Sequence, residues 1–122
     1  MQIIDCVIYP FSIIVFYGND KSLLSKKLKK YLFKEDIEYL KTIEFHRGKS
    51  IMFTSGQTLL WLKEEPNNPE TLAILNHEIF HCVCFIMEKV GIKFSDDSDE
   101  AFAYLIEYVS KQIYKKLKKL WQ

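Results

Sequence analysis

The chain has no disulfide framework, no surplus of charge, no segment built to leave through a membrane, and no internal repeat. Its three cysteines, Cys6, Cys82 and Cys84, form an odd set without framework spacing. Cys82 and Cys84 also stand too close along one helix to bridge easily. That pattern points to a reducing, intracellular setting. A formal net charge of +1 removes any global argument for nucleic acid or a membrane surface as partner. The apolar run at residues 3–17 lacks a basic leader and a small-residue cleavage site, and it contains Asp5 and Pro10. It is also shorter than the roughly 20 residues a spanning helix needs, so the expected location is cytoplasmic. With no low-complexity linker, residues 1–122 read as a single domain able to bury one core.

Residues 2–9 and 11–17 are β-branched and aromatic runs interrupted by Pro10, either two short strands or one broken strand. Gly18-Asn19-Asp20 is turn chemistry, and Asp20 or Ser22 can cap an amphipathic helix over 21–33 carrying Leu23, Leu24, Leu28, Tyr31 and Leu32. Residues 34–47 are ambiguous, read as a continuation of the helix to about Leu40 and then a loop through His46-Arg47-Gly48. Residues 49–55 and 57–63 flank Gly56 as a hairpin. Asn68 caps a helix whose first residue is Pro69 and which runs to Val90, closed by Gly91. Ser98 opens a last helix with Phe102, Leu105, Ile106, Val109, Ile113, Leu117 and Leu120 on one face. This order predicts an α+β domain, a sheet packed on a helical layer. The lysine clusters at 21–34 and 111–119 read as solvated helix faces.

Asn76-His77-Glu78-Ile79-Phe80-His81 contains His-Glu-x-x-His in mid-helix. Four residues is just over one turn, so both imidazoles project from one face and can share a zinc ion. Glu78, beside the first ligand, can act as general base toward a metal-activated water. The other residues between Leu72 and Met87 are almost all apolar. A helix that apolar is expected to be buried, and two imidazoles and a carboxylate buried without partners would cost several kcal/mol, on the order of the usual desolvation penalties. Glu100 is the expected third ligand. The turn at Gly91 lets its helix fold back, and Ala101 and Ala103 permit close approach. The competing reading is a favourable N-terminal helix charge, like Asp96, Asp97 and Asp99 around it. Asp97 and Asp99 are the fallback ligands or outer partners of an imidazole N–H.

His77-Glu78-x-x-His81, eighteen intervening residues and then Glu100 resembles the gluzincin clan of zinc metallopeptidases in a minimal, single-domain form. The run from Asn76 to His81 with Asp99-Glu100-Ala101-Phe102-Ala103-Tyr104-Leu105 also resembles small proteins of bacteriophages and prophages. The resemblance implies a zincin-like fold: a small, mostly antiparallel sheet, a backing helix, an active-site helix and a glutamate helix. It implies peptide-bond hydrolysis with strand 57–63 as the sheet edge along which a peptide or protein substrate pairs. Larger gluzincins carry an aspartate one turn after the glutamate ligand, where this chain has Tyr104, and the domain that supplies transition-state donors is missing. Tyr104, Tyr108, His46 and Arg47 are the candidate donors.

Two alternatives follow from the same residues. One is a non-catalytic zincin-fold phage protein, a virion component or host-interaction module, with structural or vestigial zinc. The other is a regulatory protease resembling those that cleave phage repressors. Cys84, three residues after His81, is a possible soft ligand but more simply core, as are Cys82 and Cys6. Trp61 lines a cleft or packs as an aromatic, and Trp121 anchors the terminus or a partner. Phe80, Phe85, Phe102 and Tyr104 are expected to form the helix–helix core.

Overall fold

The computed structural model describes residues 1–44 and 46–118. The expectations for Leu120 and Trp121 lie outside the described residues. The order is β1 (Gln2–Asp5), β2 (Ser12–Tyr17), α1 (Lys21–Leu28), α2 (Lys34–Thr42), β3 (Gly48–Met52), β4 (Thr58–Leu62), α3 (Pro69–Lys89) and α4 (Asp99–Tyr114). The chain is therefore α+β, with four helices and one mixed four-stranded sheet of order β1-β2-β4-β3 among the described residues. β1 pairs antiparallel with β2, and β3 antiparallel with β4, while the central β2–β4 pair is parallel. A parallel pair cannot be closed by a tight turn. Here the crossover is the whole of α1, α2 and β3.

The two central strands are apolar on both faces. Ile13, Val15, Leu60 and Leu62 pack against α3 and α4, whereas Ile14, Phe16, Leu59 and Trp61 pack against α1 and α2. Strands buried on both sides read as unbroken apolar runs, with no polar alternation to mark an outer face. The sheet thus has a helical layer on each face rather than the single layer expected. β1 and β2 are two short strands, and Val7 in the turn between them has φ 56°, a strained value for a β-branched residue. Trp61 is fully buried and its indole N–H donates to the carbonyl of Gly18 at 2.6 Å, so it is a packed aromatic.

The helix expected over 21–33 ends at Leu28, and a separate α2 follows. Asp20 caps α1 by accepting from the Leu23 N–H at 3.1 Å. In the first turn of α2 the buried Asp36 carboxylate accepts from the Thr54 N–H (2.9 Å), the Thr54 hydroxyl (2.7 Å) and the Ser55 N–H (3.3 Å). This one side chain ties α2 to the β3–β4 turn. Asn68 caps α3 in a reciprocal box with Thr71, with Pro69 following. Gly91 closes α3 at φ 82°, a left-handed position that glycine takes without Cβ strain. By length and composition α3 is also apolar enough to cross a bilayer, but here its apolar face is core.

α4 buries Phe102, Leu105, Val109 and Ile113, with Leu117 beyond its end. The expected aromatic helix–helix core is not formed. Phe102 is buried, but Phe80 is 44% and Tyr104 65% exposed. Both fall away from the apolar stripe of their helices, which aliphatic side chains fill around Phe102.

Candidate metal centre

His77 and His81 leave α3 one turn apart, and their Nε2 atoms stand 3.1 Å from each other. Two ligands of one tetrahedral zinc, each bonded at about 2.0–2.1 Å, lie about 3.3–3.4 Å apart. The separation of the pair is close to that of two ligands on one ion. Free of metal, the same spacing lets one imidazole N–H donate to its neighbour.

Both imidazoles are exposed, so the expectation that they are buried is overturned. α3 is apolar chiefly on its core stripe, and the histidines stand off that stripe. The desolvation argument falls on Glu78 alone, which is only 7% exposed. Its partner is Ser50 on β3, whose Oγ lies 2.7 Å from Glu78 Oε1 and 3.0 Å from the Glu78 carbonyl oxygen. Cys82 in turn points its thiol at Ser50 Oγ across 3.6 Å. Burial pushes that thiol up to about 12, so it stays an S–H donor. Thus Cys82 and Ser50 hold one carboxylate oxygen of Glu78. The other, Oε2, lies 4.0 Å from His77 Nε2, beyond direct hydrogen-bond distance.

Gly48 makes this approach possible. A Cβ there would meet Leu62 Cδ2 at 2.9 Å, Ile74 Cγ2 at 3.1 Å and Glu78 Cγ at 3.2 Å. We expect Gly48→Ala to cost about 1–3 kcal/mol through overpacking and to displace Glu78. Thermal unfolding measures the cost; an unchanged melting temperature would contradict it.

Sequence reasoning missed Ser50, Gly48 and Asp36. Ser50 and Gly48 alternate with Ile51 on a strand, a pattern indistinguishable from an ordinary solvent-facing side. Only the helix lying on that side makes them part of the site.

The strand expected at the sheet edge, 57–63, is instead interior. β4 is hydrogen-bonded to β2 and β3 and all five of its residues are buried. The free edges belong to β1 and β3. In β3 the Lys49 and Ile51 backbone groups bond to β4, following the Phe53–Gln57 pair, so those of Gly48, Ser50 and Met52 point outward. The β1 edge is blunted, because Tyr108 donates to the Asp5 carbonyl and the Asp5 carboxylate takes the Val7 N–H, each at 3.0 Å. The open edge is therefore the one against the Glu78 flank of α3.

Glu100 is exposed in the first turn of α4 and is not gathered with the imidazoles. Among the described residues no three His, Cys, Asp or Glu side chains come together as a metal-holding group. Tyr114 on α4 reaches Asn76 at 2.5 Å, which fixes the level of one helix on the other. At 1.5 Å per residue Glu100 lies about 20 Å along α4 from that contact, whereas His77 and His81 lie within about 8 Å of Asn76. The histidines also leave α3 roughly 100–140° around the helix from Asn76. Asp97 and Asp99 share the exposed end with Glu100.

Cys84 is half-buried, and burial with Glu88 nearby raises its thiol. Cys6 and Cys82 are core thiols, and burial holds Cys6 up at about 11. Tyr104 stands beside the β1–β2 turn and Tyr108 is engaged with Asp5, both on α4. Arg47, ion-paired with Glu70, and His46 line a cavity of about 250 Å³ that also touches Ile74, one turn before Glu78. No family model, curated protein or solved structure matches the chain.

Proposed function

We propose that the chain is a zinc-dependent hydrolase of the metallopeptidase type, with His77 and His81 holding the metal and Glu78 as general base. The observation that carries this reading is the paired imidazoles beside a buried, oriented carboxylate, next to an open strand edge. Zinc, when bound, supplies Lewis acidity that lowers the pKa of a coordinated water to about 7 and polarises a carbonyl. The chain supplies the rest. An extended peptide pairs with the outward groups of Gly48, Ser50 and Met52 on β3, in place of the strand first expected. Glu78 Oε2, free of the Ser50 hydrogen bond, accepts the proton of the attacking water and passes it to the leaving amine. Arg47 and His46 are the donors on that flank. Tyr104 and Tyr108 stand on α4, removed from it.

The zincin-like arrangement belongs to this proposal, as does a third ligand. The test is calorimetric titration of zinc into the metal-free chain, beside cleavage of a peptide library. We expect one zinc per chain, lost in His77→Ala and in His81→Ala, together with metal-dependent cleavage. Glu100→Gln weakens uptake at least tenfold if Glu100 ligates and leaves it unchanged otherwise. Zinc uptake without hydrolysis of any peptide would favour the non-catalytic reading, and absence of uptake removes both.

A further inference from the structure

The outward face of α4 carries opposite charges at its two ends, with an aromatic residue between. Spacings of three and four residues bring Glu100, Tyr104, Glu107, Lys111 and Lys115 onto one stripe, opposite the buried stripe, and all five are exposed. Among the described residues the four charged ones enter no ion pair within the chain, although Glu107 and Lys111 have the favourable i,i+4 order. On one side of the stripe an apolar groove of about 370 Å³ runs under Val7 and Ile8, floored by Ala101 and Leu105. Val7 and Ile8 are 70% and 81% exposed. On the other side Ser110 and Tyr114 continue the stripe as an open, shallow strip of α4. α4 is thus a ridge with an apolar groove along one side. The helix dipole accounts for an acidic first turn and a basic last turn. It does not account for the exposed Tyr104, Val7 and Ile8 beside them.

Such a surface is complementary to itself. In an isologous contact residue i meets residue j, and j meets i. Two antiparallel α4 helices, related by a two-fold axis at the level between Glu107 and Lys111, set Glu107 of each copy against Lys111 of the other. The acidic Glu100 end then meets the basic Lys115 end. Each ridge packs beside the other's apolar groove, covering Tyr104 and the β1–β2 turn. We propose that this face joins two copies of the chain into a homodimer. The proposal does not depend on zinc, although Glu100 belongs both to this stripe and to the candidate ligands of the metal.

Sedimentation equilibrium of the whole chain with a chelator present, so that zinc cannot bridge copies, tests it. We expect a dimer whose dissociation constant rises with salt, since the end-to-end contacts are ionic and screened. Lys111→Glu with Lys115→Glu, and separately Glu100→Lys with Glu107→Lys, should each weaken association at least about tenfold. An equimolar mixture of the two double variants should restore it. Tyr104→Ser, exposed in the single copy and therefore tolerable to the fold, should also weaken association. A wild-type chain that stays monomeric at every concentration overturns the proposal. So do charge variants that dimerise like the wild type, or two folded monomeric variants that fail to pair when mixed.

Discussion

Glu78→Gln is expected, on the proposed hydrolase reading, to keep the fold and the metal while lowering peptide hydrolysis by about 10²–10⁴-fold, the usual contribution of a positioned general base. The substitution preserves volume, which matters because Glu78 lies against Gly48 with 7% exposure. A glutamine Oε1 accepts from Ser50 as the carboxylate does, so the local hydrogen bonds survive. What is lost is the second oxygen's ability to take a proton at the His77 side. Zinc titration and cleavage rates measured on the same preparation separate the two properties. Unchanged cleavage would remove Glu78 from the reaction, and loss of zinc uptake would make it a ligand instead.

The largest effect on stability is expected at Asp36. Asp36→Ala leaves the Thr54 N–H, the Thr54 hydroxyl and the Ser55 N–H without their acceptor. The cost should be about 3 kcal/mol, the scale for hydrogen bonds to a buried charge, lowering Tm by roughly 10 °C. The acid dependence follows from the carboxyl's shift. Burial acts to raise its pKa, but the hydrogen bonds from Thr54 and Ser55 outweigh it and hold the group below its ordinary value. A group depressed in the folded state contributes its stability above the unfolded pKa of about 3.9. That contribution is lost as pH falls through the lower folded value. Denaturant unfolding should therefore show a gap between wild type and Asp36→Asn that is constant near neutrality and closes below about pH 4. A gap independent of pH would assign the effect to packing.

Local chemistry was legible along the chain. Asp20 and Asn68 cap their helices, Gly56 turns the β3–β4 hairpin and Gly91 ends α3, each from residue types whose backbone preferences act over three or four positions. The His77–His81 pairing was legible for the same reason, because helical periodicity alone sets two side chains on one face. The break between α1 and α2 was not. Its most visible anchor, Asp36, finds its partners 18 and 19 residues away.

By itself, then, the sequence determined the α+β class, most element boundaries, and two imidazoles able to meet on one helix. These depend on interactions within a few residues. Only the tertiary structure decided that β4 is interior and β3 the open edge, because edge or centre depends on which strands pair across the parallel β2–β4 crossover. It also decided that the histidines are exposed while Glu78 is buried against Ser50. On an apolar helix the sequence gives the period, but the partner layer chooses which flank is covered. Glu100 shows the same division. Its separation along the chain fits a third ligand, whereas its distance from the pair depends on how far α4 slides along α3, which is set by the packing of aliphatic side chains between them.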